Sequence, residues 1–143
     1  MENIYDIRKN EKLLFVMSKE HLCNGTKCDL DKVAIAVNLY YSNTVKRYMD
    51  YLNAIDEKIS VYVFSSNLET LKLIEEHKMR PMTVIQKENR GRDISALLVA
   101  FREIAKKYEY ICFVHDKAAR NEQLAEDVEN WIANMWENTL ASE

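Results

Sequence analysis

From residue 32 onward the apolar and polar positions fall into blocks, and each block has its own period. Val33 to Tyr40 (VAIAVNLY) is an almost unbroken apolar run. A short run of that kind fits a strand buried on both faces. Asn43-Thr44 then offers a helix start, and Val45, Tyr48, Met49, Leu52 and Ile55 follow at steps of three and four, one stripe of a helix. Ile59 to Phe64 (ISVYVF) is β-branched and aromatic, a strand composition. Asn67 is placed to cap a second helix that turns Leu68, Leu71 and Ile74 inward, and Pro81 marks its far side. Met82 to Gln86 reads as a third strand. Another helix is expected from near Asp93, with Ile94, Leu97, Leu98, Phe101, Ile104 and Ala105 as its stripe. Tyr110 to Val114 (YICFV) supplies the fourth strand. A last helix, about Glu122 to Leu140, carries Leu124, Val128, Trp131, Ile132 and Met135 on one face, which puts Trp131 in the core.

Four apolar strands separated by helices predict an α/β fold, a three-layer α/β/α arrangement with a mainly parallel sheet. Right-handed crossovers favour the strand order 3-2-1-4. The winding then reverses between the first and fourth strands, and such sheets bind ligands beyond the carboxyl ends of the strands at that reversal. Asn38, Tyr40 and Tyr41 from the first strand fall there, with His115-Asp116-Lys117 from the fourth and Ser65-Ser66 close by. Tyr40 or Tyr41 is suited to stack a base, whereas Tyr48 and Tyr51 fit helix packing.

Composition narrows the function classes. The chain has 143 residues, long enough for one domain with a real core. Its formal charge of −3 argues against general nucleic-acid binding, which wants a basic face. No apolar run approaches the ~20 residues that span a bilayer. Leu13 to Met17 is too short for a secretory core. The expected location is therefore the cytoplasm, at most peripheral to the inner face of the membrane. Three cysteines, an odd number, suit a reducing compartment. Cys112 lies in an apolar run and reads as a buried thiol. Cys23 and Cys28 flank the Asn24-Gly25 turn, but no second pair completes a zinc site. His21 and His77 look solvated, and Lys106-Lys107 fits a helix end. Residues 1–31 are of mixed polarity and read as a helix or hairpin extension, leaving 32–143 as the α/β domain.

The candidate chemistry centres on Asn89-Arg90-Gly91-Arg92-Asp93, between the third strand and the next helix. Gly91 permits backbone angles closed to other residues. Asp93 is placed to cap the helix. Arg90 and Arg92 carry planar, permanently charged forks suited to phosphate. Pairing with Glu88 and Asp93, or with acids on the N-terminal segment, would be the plain alternative, but exposed pairs contribute only about 0–1 kcal/mol. His115 ends a buried strand, and imidazole ordinarily titrates near neutral pH, so it can serve as acid or base.

These pieces together resemble a known family. VAIAVNLYY, SVYVFSSN, NRGRDISALL, YEYICFVHDKAA and a Trp131-bearing helix ending in TLASE look like the rhamnan synthesis protein F family, glycosyltransferase-like proteins of bacterial cell-wall and lipopolysaccharide assembly. The resemblance covers residues 32–143. The same order is similar to the nucleotide-sugar half of the GT-A glycosyltransferase fold, where an Asn-x-Gly turn opens a helix and the next strand ends in Asp-x-Asp. Here that place reads His115-Asp116-Lys117. A single aspartate beside a lysine is a poor hard-cation site, which disfavours Mg²⁺ or Mn²⁺ as cofactor. Lys117 would instead neutralise phosphate as a point charge.

The resemblance implies a nucleotide-sugar donor such as dTDP-rhamnose and a glycan or lipid-linked acceptor. Asn38, Tyr40, Ser65, Asn89, Arg90, Gly91, Arg92, Asp93 and Lys117 are the expected substrate-binding residues, with His115 and Asp116 as the expected catalytic pair. The alternative is a non-catalytic binding or scaffolding module on the same fold. A flavodoxin-type phosphate binder fits poorly, because Tyr41-Ser42-Asn43 holds no glycine.

Overall fold

A computed structural model describes residues 29–118 and 125–140. Strands β1 (Val33–Asn38), β2 (Ser60–Ser65), β3 (Thr83–Gln86) and β4 (Tyr110–His115) form one sheet in the order β3-β2-β1-β4. All three pairings are parallel. Both the order and the direction match the expectation from the alternating blocks. Helix α1 (Val45–Asn53) follows a 3-10 turn, Ser42–Thr44, and leads to β2. Helix α2 (Leu68–His77) joins β2 to β3, and Asn67 caps it by accepting from the Glu69 N–H at 3.0 Å. A π turn (Ala96–Ala100) and the short helix α3 (Arg102–Ala105) join β3 to β4. Helix α4 (Ala125–Leu140) ends the described chain. No helix among the described residues is long and apolar enough to cross a membrane.

Each strand is apolar on both faces because each face has its own cover. Ile35, Val37, Val61, Val63 and Val114 pack with α1, α2 and α4, through Tyr48, Met49, Leu52, Ile74, Ile132 and Trp136. The alternate residues Ala34, Ala36 and Phe64 pack with Ala96 and Phe101 on the other side. Successive side chains of a strand point to opposite faces, so one run of sequence serves both clusters. The small residues Ala34, Ala36 and Ala96 let the π turn lie close to the sheet.

Three helix faces differ from the expected stripes. Ile94 and Leu98 are exposed, whereas Ala96 and Phe101 are fully buried. The Phe101 N–H donates to the Ala96 carbonyl at 2.8 Å, a five-residue step that widens the turn and rotates the stripe away from a 3.6-residue period. In α2, Leu68 is exposed and Thr70 and Ile74 are the buried residues; the Thr70 hydroxyl is drawn in by the Tyr40 carbonyl at 2.9 Å. In α4, Trp136 is buried against Tyr48, ring centroids 4.5 Å apart, while Trp131 is 47% exposed. Five residues on a helix amount to a rotation of about 140°, so the two indoles cannot share one face.

Two smaller expectations also shift. His77 is half-buried, its Nδ1 bound to the Leu73 carbonyl at 2.8 Å. Cys112 is half-buried and burial pushes its thiol pKa up. His21, Cys23, Cys28, Leu124 and residues 1–28 of the expected extension at 1–31 lie outside the described residues.

Candidate functional site

The sheet reverses its winding between β1 and β4, and their carboxyl ends set the site. Asn38 and His115 are register partners there. By strand alternation both lie on the face of Ala36 and Phe113, the side that also holds the π turn. Asn38 is buried, and its Oδ1 has no hydrogen-bond partner. Its carbonyl accepts from the Asp116 N–H at 3.0 Å, so the first turn beyond β4 is tied to β1.

Asp116 itself turns inward. It is buried, and one carboxylate oxygen accepts from the Tyr40 and Tyr41 N–H groups, each at 2.7 Å. Burial pushes its carboxyl pKa above the ordinary value, against the pull of those two donors and of the His115 imidazole. Ser65 is also fully buried, and its hydroxyl accepts from the Asn67 N–H at 3.1 Å, which fixes the entry to α2. The Tyr40 carbonyl takes the Asn67 amide at 3.0 Å as well. The tyrosine rings stay outside: Tyr40 and Tyr41 are exposed and stand edge to face, centroids 5.4 Å apart.

The turn after β3 is the opposite case. Gly91 has φ +68°, and a Cβ there would stand 2.9 Å from the Ser95 Cβ. Arg92 has φ +52°, a left-handed conformation that is uncommon for a residue with a side chain. Lys87 holds this backbone in place. Its ammonium donates to the Glu88 and Arg92 carbonyls and to the Ser95 hydroxyl, at 3.2, 3.0 and 3.1 Å. The Ser95 hydroxyl in turn donates to the Arg92 carbonyl at 2.9 Å. Asn89, Arg90 and Arg92 are exposed. Among the described residues neither arginine is ion-paired.

Asp93 joins the turn to the strand ends. Rather than capping the helix, its carboxylate lies 3.4 Å from His115 Nε2. His115 Nδ1 is 2.9 Å from the Asp116 carbonyl; a carbonyl only accepts, so Nδ1 carries a proton and donates. That bond orients the ring and leaves Nε2 facing Asp93.

Lys117 is drawn to the other face. Its ammonium lies 5.9 Å from the centre of the Trp131 ring, on α4. Its N–H donates to the Tyr48 hydroxyl at 3.3 Å, and burial pushes that hydroxyl's pKa up.

The expected residues thus divide. Asn38, Asp93 and His115 converge at the end of β1 and β4, and Asn89 to Arg92 stand beside them on the same turn. Asp116 and Ser65 are committed to neighbouring backbone groups. Lys87 and Trp131 were not marked by the pattern as site residues. Only the five-residue offset between the two tryptophans hinted at an exposed one. Among the described residues no three His, Cys, Asp or Glu side chains are grouped to hold a metal ion.

The model of one protein family, rhamnan synthesis protein F, matches residues 1–142. The chain belongs to the rhamnan synthesis protein F family. Membership links it to rhamnan polysaccharide synthesis. The match includes residues 1–31, ahead of the stretch on which the resemblance rested. No curated protein and no solved structure matches the chain.

Proposed function

We propose that this member of the rhamnan synthesis protein F family binds a nucleotide-sugar donor at the end of β1 and β4 and transfers the sugar, a rhamnosyl group from a donor such as dTDP-rhamnose, to a glycan or lipid-linked acceptor. On this reading the sheet is the donor-binding half of a three-layer transferase fold, working at the cytoplasmic side of a membrane. The observation that carries it is the turn itself: two exposed guanidinium groups, unpaired among the described residues, on a backbone locked by Lys87, with Asp93 at the imidazole. A pair of planar cations carried on a fixed backbone is what a departing diphosphate needs. The acceptor hydroxyl attacks the anomeric carbon, the bond from that carbon to the diphosphate oxygen breaks, and the nucleoside diphosphate leaves with the electron pair. His115 Nε2 takes the acceptor's proton, and Asp93 stabilises the imidazolium that forms. Asp116 acts as a positioning group, holding Tyr40 and Tyr41 and, through its carbonyl, His115. Lys117 is left out of the phosphate clamp.

Transfer and binding separate in one experiment. With dTDP-rhamnose and a rhamnose oligosaccharide, His115→Ala is expected to lower transfer by about 10²–10⁴-fold and to leave dTDP affinity within about twofold. Unchanged transfer would remove His115 from the chemistry. A second reading, a binding module without turnover, is favoured by the committed Asp116 carboxylate. Donor binding with no transfer by the wild type would select it.

A further inference from the structure

On the opposite face of β4's end lies a recess of about 190 Å³, lined by Lys117, Asp127, Val128 and Trp131. Nothing in the donor reading uses it. Trp131 leaves 47% of its surface in water, although α4 has a core face that takes Ile132 and Trp136 completely. Asp127 alone has a plain explanation, since an acid in the first turn of a helix suits its dipole. Among the described residues the indole belongs to neither core cluster, and the Lys117 ammonium lies beside its ring.

We infer that this recess is a saccharide subsite, holding one sugar ring of the glycan acceptor against Trp131; the word acceptor rests on the transferase reading above, the saccharide chemistry does not. A pyranose offers a C–H face and a rim of hydroxyls. The flat indole matches the face. The Lys117 ammonium donates to ring hydroxyls and the Asp127 carboxylate accepts from them, with Val128 as the apolar wall.

Other occupants fit less well. A phosphate would meet the Asp127 carboxylate and only one cation. An acyl chain would bury both charges. A partner helix, about 10 Å across, is too large for the recess. The arginine turn and this recess flank the end of β4 on opposite faces, with His115 on the side of the turn.

The test titrates two probes separately, a rhamnose tetrasaccharide and dTDP, by calorimetry. The proteins are the wild type, Trp131→Ala, Trp131→Phe, Asp127→Asn and Arg92→Ala. Tetrasaccharide affinity is expected to fall about tenfold in Trp131→Ala, to stay within about threefold in Trp131→Phe, which keeps an aromatic face, and to fall several-fold in Asp127→Asn. It should be unchanged in Arg92→Ala, while dTDP affinity should be unchanged in Trp131→Ala. The chain has two tryptophans, so in both Trp131 variants the fluorescence of Trp136 alone reports an intact core. Tetrasaccharide binding that ignores Trp131→Ala, or no binding to the wild type at millimolar concentration, overturns the proposal. Loss of dTDP binding with a Trp131-dependent saccharide site would overturn the donor reading and leave this one standing.

Discussion

Two neighbouring loops at one edge of the sheet treat their polar groups in opposite ways. At the ends of β1, β2 and β4 most of the polar groups are consumed, Asn38 Oδ1 being the buried exception. Asp116 takes two backbone N–H groups, Ser65 and Asn67 close the entry to α2, and the Tyr40 carbonyl accepts twice. In the turn after β3 the backbone is just as tightly held, by Lys87 and Ser95, but the two guanidinium groups are left exposed. The first loop is a buckle and the second a fixed platform with free charges. Motifs of similar chemistry, His115-Asp116-Lys117 and Asn89 to Asp93, therefore divide the work. One supplies order, and the other leaves its two guanidinium groups exposed. His115 is shared, since its Nδ1 answers to the buckle and its Nε2 to Asp93.

Substitution can break this contrast most sharply at Asp116. Asp116→Ala leaves the Tyr40 and Tyr41 amides without their acceptor and is expected to cost about 2–3 kcal/mol of stability by urea denaturation. A stable variant that loses only transfer would make Asp116 a catalytic group and erase the distinction. Gly91→Ala comes next. It places a Cβ at φ +68° and 2.9 Å from the Ser95 Cβ, for an expected loss of about 1–2 kcal/mol. Stability equal to wild type would mean that the turn is not rigid.

The smallest effect is a pH dependence. Burial raises the Asp116 carboxyl's pKa on folding, so the folded state holds this proton more tightly than the unfolded one. Stability from this group therefore falls as pH climbs from the ordinary carboxylate pKa through the raised one. Asp116→Asn lacks the titration. The difference in stability between wild type and Asp116→Asn, measured by urea denaturation across that range, should move against the wild type as pH rises. A difference moving the other way would show that the amide donors outweigh burial.

The sheet was legible because it depends on short apolar runs, whose order and parallel direction follow from alternation with helices. Asn67 as a cap and the α1 stripe were legible for the same reason, being local patterns. What escaped depends on groups distant in sequence or on a broken period. The five-residue step from Ala96 to Phe101 carries no signature in residue type, so Ile94 and Leu98 looked inward. Asp93 had two good partners, the helix end and an imidazole 22 positions along the chain, and only the fold decides between them. Asp116 and Lys117 are adjacent in sequence, yet one turns to the Tyr40 loop and the other to Trp131. No spacing rule separates them.

The most direct measurement is the thermal shift given by dTDP to the wild type and to the Arg90→Ala/Arg92→Ala double variant. Both side chains are exposed and, among the described residues, unpaired, so the double variant should melt within a few degrees of wild type without ligand. At about 100 times the dissociation constant, dTDP should stabilise the wild type by about 2.7 kcal/mol, roughly 5–10 °C at this size. The expected result is that shift in the wild type and almost none in the double variant. An equal shift in both would place the diphosphate elsewhere and contradict the assignment of the turn.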